Sequence, residues 1–207
     1  VIGLMGLVAT WCFASPDLAL WHELDLVPMP REVELTGREV NLVGADIVLG
    51  REPSAQDEIG AQWIADELVR LGGQRPTVVR TGELTPAALH LVVGTRASNP
   101  LIAAAADRLQ VGPGQPGERG YVISPEDRTV LLAGADPIGA LYACVTFGEL
   151  LTSREGQVLW REARVRDWPD YVHVLFGDPR IGGTAMPELL ELFSKARSLA
   201  GPDEQFR

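Results

Sequence analysis

The stretch from Gly120 to Leu151 constrains the fold of this chain more than any other. Two apolar runs, Tyr121–Ile123 and Thr129–Ala133, predict two short strands joined by a turn. Asp136 is then placed to cap a helix, and Pro137 occupies its first turn, where a missing N–H costs little. Apolar residues recur along that helix at spacings of three and four, so we expect it to pack against a sheet.

The same stretch contains a pair of glycines that is typical of phosphate loops. Gly134 and Gly139 have the spacing of GxxxxGK[ST], between a strand and a helix. Ala140 and Leu141 follow instead of lysine and a hydroxyl residue, so nothing would reach the phosphates or a magnesium ion. Asp136 adds a negative charge where a phosphate needs the opposite. The pattern therefore predicts a strand-to-helix corner and no nucleotide site.

Composition indicates a folded soluble protein of one domain, or of one domain plus a piece. The chain has 207 residues, of which 46% are hydrophobic and 22% charged. The net charge is −10, and Lys195 is the only lysine among the basic residues. Because there is no basic cluster, neither nucleic acid nor an anionic membrane is expected as a partner. The two cysteines, Cys12 and Cys144, do not make a disulfide framework, and Cys144 is predicted to be a core residue.

Residues 1–19 are predicted to be a signal peptide and leader. Ile2–Phe13 is almost wholly apolar but too short to span a membrane, and the small residues Ala14 and Ala19 are alternative cleavage points. A positive first region is missing, so an apolar N-terminal helix is the other interpretation. We expect export to the periplasm or the exterior of a bacterial-type cell. No stable membrane span is expected after removal of the signal, because no other run is long enough.

Turn-forming and helix-capping residues along the chain predict where the remaining helices and strands begin and end. A helix from Ser54 to about Leu71 is expected to bury Ile59, Trp63, Ile64, Leu68 and Leu71, and to expose Asp57, Glu58, Asp66, Glu67 and Arg70. Asn99 and Pro100, as a cap and first-turn pair, are predicted to open a second helix at Leu101–Leu109. The other predicted strands are Val33–Leu35, Val40–Val43, Ile47–Leu49, Val78–Arg80, Leu89–Val93 and Val158–Trp160. The mixture of links indicates an α+β fold, with a mixed or antiparallel sheet and helices packed on it.

Four segments together carry a family resemblance. GYVI at 120–123, VLLAG at 130–134, GALYA at 139–143 and FGELL at 147–151 resemble the non-catalytic N-terminal domain of family 20 glycoside hydrolases, the β-N-acetylhexosaminidases. Ala143 and Glu149 depart from the glycine and glutamine of that pattern. Related domains precede other barrel glycosidases, such as α-glucuronidases.

The resemblance implies a domain plan. Residues 20–166 would be the accessory domain, and residues 167–207 a linker and the start of a truncated catalytic (β/α)₈ barrel. VRDWPD at 165–170 is similar to the family's junction, with Asp170 in place of an arginine. Tyr171–Phe176 and Pro187–Leu199 would be the first strand and helix of the incomplete barrel.

The catalytic residues implied by the family are not found in this chain. The family uses the acetamide group of its substrate together with an adjacent Asp-Glu pair at the end of a barrel strand. Asp57-Glu58 and Asp66-Glu67 lie on a predicted helix. Asp203-Glu204 fits G-x-D-E but follows a helix after a single β/α unit. The remaining candidates, rejected as turn residues or as lacking the family's motif, are Asp167, Asp170, Asp178 and Arg180.

We therefore predict no catalytic, cofactor-binding or metal-binding residue and no cofactor; a lone histidine, His90, is interpreted as a packed or surface residue. The chain is expected to be the accessory domain of an exported glycoside hydrolase that acts on N-acetylhexosamine-containing glycans. Its partner would be a catalytic barrel in cis, through which alone it would meet glycan, and by itself it is expected to be inactive. The alternatives are the same domain on an α-glucuronidase-like barrel enzyme, or a stand-alone carbohydrate-binding or scaffold domain.

Overall fold

The computed structural model describes Leu24 and residues 26–81 and 89–169. The predicted signal peptide and leader at 1–19 and the predicted barrel strand and helix at 171–176 and 187–199 lie outside these residues. The domain boundaries that depend on those segments stay predictions.

The described residues form a mixed eight-stranded sheet and three helices, which confirms the predicted α+β class. The helices are α1 (Ala55–Arg70), α2 (Pro100–Leu109) and α3 (Pro137–Glu149). The strands are β1 (Glu32–Asn41), β2 (Asp46–Leu49), β3 (Thr77–Arg80), β4 (His90–Thr95), β5 (Tyr121–Glu126), β6 (Thr129–Gly134), β7 (Leu151–Arg154) and β8 (Gln157–Asp167).

The sheet joins a parallel half to an antiparallel half. Its order is β1-β8-β5-β6-β4-β2-β3, and β7 pairs with β8. Neighbours from β6 to β3 are parallel, whereas β5 pairs antiparallel with β6 and β8, and β1 pairs antiparallel with β8. The first and last described strands are therefore neighbours, so the domain begins and ends at the same edge of the sheet.

Helices cover the two faces of the sheet unequally. The larger core lies on the face covered by α1 and α3, where Ile64, Leu132, Phe147 and Trp160 are buried together. The smaller core lies under α2 on the opposite face. Alternation along the strands explains the division, because successive side chains of a strand point to opposite faces.

Side-chain caps begin all three helices where the sequence predicts them. The side chain of Ser54 accepts from the backbone N–H of Asp57, that of Asn99 from Leu101 and that of Asp136 from Gly139. Each bond satisfies a donor that the first turn of a helix leaves without a partner. The starts of the helices are therefore set by local sequence.

The predicted boundaries are wrong at β1 and at the end of α3. The sequence predicts two strands at Val33–Leu35 and Val40–Val43, but β1 is a single strand with a bulge, where the pairing shifts between Leu35 and Glu39. Gly37 (φ +77°) absorbs the extra residues, because it has no Cβ to oppose a positive φ. Leu151 begins β7 and does not extend the helix.

The strand at Val158–Trp160 is also much longer than predicted. β8 continues to Asp167, through part of the segment interpreted as a linker. In residues 161–167, only Ala163 and Val165 belong to the larger core. The charged residues at 161, 162, 164 and 166 therefore conceal the apolar alternation that is typical of a strand. Pairing with β1 and β5 on its two sides keeps this polar segment extended.

The inner face of α1 is likewise not the predicted one. Ile64 and Leu68 are buried as expected, but Ile59, Trp63 and Leu71 are only partly buried. Two acids predicted to face solvent are buried: Asp57 (1% exposed) and Glu67 (6%). Asp57 completes the capping box with Ser54, and Glu67 accepts two hydrogen bonds from the Arg70 guanidinium, at 2.8 and 2.6 Å. Buried carboxylates keep such partners because they lose water.

Candidate functional site

The crevice in which open α/β sheets commonly bind ligands is filled in this domain. β2 and β4 are parallel neighbours whose chains leave to opposite faces of the sheet, the arrangement that usually opens such a crevice at the strand ends. Asn99, which is fully buried, donates from Nδ2 to the carbonyl oxygens of Val48 (3.2 Å) and Val93 (2.9 Å). A Cβ on Gly50 would lie 1.6 Å from the carbonyl oxygen of Ser98. This position therefore has no space for a ligand.

The glycines of the phosphate-loop pattern are packing residues. A Cβ on Gly134 would lie 2.1 Å from the backbone nitrogen of Ala140, and one on Gly139 would lie 2.2 Å from the carbonyl oxygen of Gly120. The Asp136 carboxylate accepts from the backbone N–H groups of Gly139 (2.8 Å) and Arg119 (2.7 Å). These donors are thus already bonded to a carboxylate, and the corner is closed to an anionic ligand.

The acidic pairs on α1 are held in structural contacts. Glu58 pairs with Arg80 at 3.1 Å, and Asp66 pairs with Arg75. Asp57 bonds Ser54 and Glu67 bonds Arg70, as described above. Asp167 lies at the end of β8. The remaining sequence candidates, Asp170, Asp178, Arg180, Asp203 and Glu204, lie outside the described residues, so the prediction that the chain has no catalytic residue stays a prediction.

His90 and Cys144 do not form part of a metal or catalytic cluster in the described part of the chain. His90 lines a shallow groove of about 310 Å³ between α2 and the sheet, with Val92, Leu101 and Leu131 on its walls. Cys144 is a free thiol in the larger core, and burial raises its pKa, so it stays protonated and unreactive. Within residues 26–81 and 89–169, no three His, Cys, Asp or Glu side chains could hold a metal ion.

A polar cluster lies where the domain begins and ends. The Tyr121 hydroxyl is 2.7 Å from Oγ1 of Thr146, and Tyr121 pairs with Asp167 in the β5–β8 ladder. Burial raises the pKa of Tyr121, so it stays a neutral donor. Burial also raises the pKa of Asp167, although N–H bonds from Arg31 and Trp168 oppose the shift. We call these five residues the junction cluster.

Sequence reasoning missed the part that Arg31 plays in this cluster. Its backbone N–H donates to Oδ1 of Asp167 (3.1 Å), its Nε donates to the carbonyl oxygen of Trp168 (3.0 Å), and its Cζ lies 4.9 Å from the centroid of the Trp168 ring. Arg31 is separated from Trp168 by 137 positions, and no local pattern connects them. Only the pairing of β1 with β8 brings them together.

The outward sides of α1 and α3 carry several partly buried apolar side chains. Apart from Pro137, no residue of α3 is fully exposed, although one side of the helix faces away from the sheet. Five partly buried apolar side chains line this surface, which we call the outer helix face: Ile59, Trp63, Ile138, Tyr142 and Val145. In the described part of the chain, no helix has the length and apolar character needed to cross a membrane.

Glycines let α1 and α3 approach closely beneath this surface. A Cβ on Gly60 would lie 2.7 Å from Sγ of Cys144, and one on Gly148 would lie 3.1 Å from Nε1 of Trp63. The two helices are therefore held as one rigid layer on the sheet. Such a layer offers a fixed apolar platform rather than a pocket.

Comparison with known proteins agrees with this architecture. The family model for glycosyl hydrolase family 20, domain 2, matches residues 23–168. No curated protein matches the chain in sequence.

Among solved structures, CpGH84D is similar with a TM-score of 0.53 at 14% identity, covering 69% of this chain and 23% of its own. CpGH84B has a TM-score of 0.50 at 13% identity, covering 70% and 22%. The GH20 exo β-N-acetylglucosaminidase from Vibrio harveyi, in complex with N-acetylglucosamine, has a TM-score of 0.50 at 16% identity, covering 72% and 20%. At these identities the likeness shows the fold alone, and the chain spans about a fifth of the length of these structures. The family match over residues 23–168 shows that the chain belongs to glycosyl hydrolase family 20 and carries its domain 2.

Proposed function

We propose that residues 20–166 are the accessory domain of an exported glycoside hydrolase that acts on N-acetylhexosamine-containing glycans. In this proposal the domain does not hydrolyse glycan but braces a catalytic (β/α)₈ barrel that follows it in cis. The observation that carries the proposal is the family match to domain 2 over residues 23–168. The filled crevice and the closed phosphate-loop corner support it, because neither offers a cavity for a substrate.

The outer helix face is the surface that we infer to contact the barrel. Tyr142 and Val145 leave apolar surface in solvent, although Leu141 and Cys144 beside them are buried. Burial of further apolar area against the barrel would stabilise both domains by about 25 cal/mol for each Å² removed from water. The rigid packing of α1 on α3 favours such bracing, because a platform that does not deform transmits its restraint to the partner.

Export is part of the same proposal. Its support is the apolar run Ile2–Phe13, which is followed by the small residues Ala14 and Ala19, either of which could precede a cleavage site.

A second candidate is the same domain attached to another kind of barrel glycosidase. The fold likeness to CpGH84B and CpGH84D favours it, since their names carry a family number other than 20. A stand-alone glycan-binding role has less support: within the described residues the exposed large apolar side chains are four valines, and none is aromatic. Sugar-binding surfaces that act without a pocket use exposed aromatic rings on which a sugar can stack.

The purified 207-residue chain is expected to show no turnover of a chromogenic N-acetylglucosaminide above the buffer rate. The reason is that the acid pair of the family lies in the barrel, whereas the α1 pairs are engaged in ion pairs and caps. The Vibrio harveyi enzyme is a suitable positive control. Turnover that disappears in Asp203→Asn would contradict the proposal.

Reading the coding region downstream of Arg207 separates the two candidates. An open frame with H-x-G-x-D-E supports family 20 chemistry, and a frame with other barrel motifs supports the second candidate.

In a polypeptide that carries both this domain and a barrel, Tyr142→Glu is expected to lower the temperature at which glycosidase activity is lost by several degrees. A charge placed at the apolar contact would have to be buried or would separate the domains. Activity is measured after brief heating across a temperature series. Ala104→Glu is the matched control, since Ala104 is an exposed helical position on α2, on the opposite face of the sheet. Equal effects of the two variants would argue against the outer helix face as the contact.

A further inference from the structure

The described domain begins and ends at one place, and one side chain joins the two ends. Arg31 precedes β1, Asp167 ends β8 and Trp168 comes directly after it. The backbone N–H of Arg31 bonds the Asp167 carboxylate, and the Arg31 side chain contacts the carbonyl oxygen and the ring of Trp168. The ring lies within the distance at which a guanidinium is attracted to an aromatic face.

Tyr121 and Thr146 form the buried part of the junction cluster. Tyr121 is 3% exposed and pairs with Asp167 in the β5–β8 ladder. Its hydroxyl is 2.7 Å from Oγ1 of Thr146 on α3. Asp167 is therefore held by strand pairing with Tyr121, and its carboxylate accepts a hydrogen bond from the backbone N–H of Arg31. This arrangement links the exit of the chain to α3.

We propose that Arg31 is a positioning residue that fixes the direction in which the chain leaves the domain after Trp168. The ladder pairs end at Glu32–Arg166 and Tyr121–Asp167, so strand pairing does not set the path beyond Asp167. The planar guanidinium, with its fixed donor directions, holds the carbonyl oxygen and the ring of Trp168 at once. Only the identity of the domain that follows Trp168 rests on the proposed function. In that proposal the following domain is the barrel, and Arg31 would set its angle to the outer helix face.

The exposure of Arg31 separates this role from a general contribution to stability. Arg31 is exposed and lies at the surface of the domain. Exposed polar contacts contribute about 0–1 kcal/mol to the stability of a protein, because water competes for both partners. Loss of the side chain should therefore loosen the exit segment without unfolding the domain.

The test is amide hydrogen exchange by NMR on the 207-residue chain, with thermal unfolding measured in parallel. In Arg31→Ala, exchange of the Trp168 amide is expected to be about twofold to fivefold faster than in the parent chain, since the loss of exposed contacts makes local opening easier. The unfolding midpoint is expected to fall by less than about 3 °C. Arg31→Lys, which keeps the charge but not the planar fork, should give most of the increase in exchange.

Arg38→Ala is the matched control, because Arg38 is an exposed arginine of β1 whose ion pair with Glu162 is long, at 3.7 Å. It should leave the Trp168 amide unchanged. Unchanged exchange in Arg31→Ala would overturn the proposal, as would a uniform rise in exchange with a large drop in the midpoint. Neither readout needs a barrel or a substrate, so the proposal can fail while the proposed function stands, and the reverse.

Discussion

Replacement of Phe147 by alanine is expected to lower the free energy of unfolding by about 3–5 kcal/mol. Phe147 is fully buried on the sheet-facing side of α3, and its ring packs on Trp160 of β8 with centroids 5.3 Å apart at 38°. Truncation would remove apolar contact and leave a cavity beneath a rigid helix pair, which cannot collapse to fill it. Chemical denaturation followed by far-UV circular dichroism measures the loss.

Val43→Ala is the control for Phe147→Ala. Val43 is 60% exposed, so its truncation should change the free energy of unfolding by no more than about 0.5 kcal/mol. A loss below about 1 kcal/mol for Phe147→Ala would mean that α3 does not seal the larger core in solution.

Gly139→Ala is expected to cost at least about 3 kcal/mol or to prevent folding, although alanine is ordinarily the better helix former. The added Cβ would lie 2.2 Å from the carbonyl oxygen of Gly120, a backbone atom that cannot rotate away. Relief requires α3 to move off the β5 end of the sheet and to break the cap by Asp136. The free energy of unfolding and the soluble yield are the measurements.

Gly114→Ala is the matched control for that change. Nothing lies within 4 Å of a Cβ at Gly114, and its φ is not positive. There alanine should be neutral or slightly stabilising, because it restricts the unfolded chain. If Gly139→Ala folds with parent stability, the close approach of Gly139 to Gly120 is wrong, and the glycine spacing needs another explanation.

Local sequence was sufficient to predict much of the fold. The caps at Ser54, Asn99 and Asp136 were predicted and are present, because a cap depends on residues only two or three positions away. The apolar runs of β5 and β6 and the buried character of α3 were readable for the same reason. The motif segments at 120–151 also indicated the family, which the match over residues 23–168 confirms.

Long-range pairing decided what the sequence could not predict. The polar end of β8 is a strand because β1 and β5 lie on its two sides, and the bulge at Gly37 lets β1 stay on one partner. Packing of α1 against α3 buries Asp57 and Glu67, and hydrogen bonds to Ser54 and Arg70 offset their loss of water. An acid that faces solvent and an acid that is buried with a hydrogen-bond partner look alike in sequence.

The sequence by itself therefore determined the class of fold, the helix starts and the family, since these depend on neighbours along the chain. Only the tertiary structure decided why Gly134 and Gly139 must be glycines: other backbone atoms occupy the space in which a Cβ would lie. Only the tertiary structure, too, placed Arg31 against Trp168 across 137 positions, because strand pairing and not sequence proximity brings the two ends of the domain together.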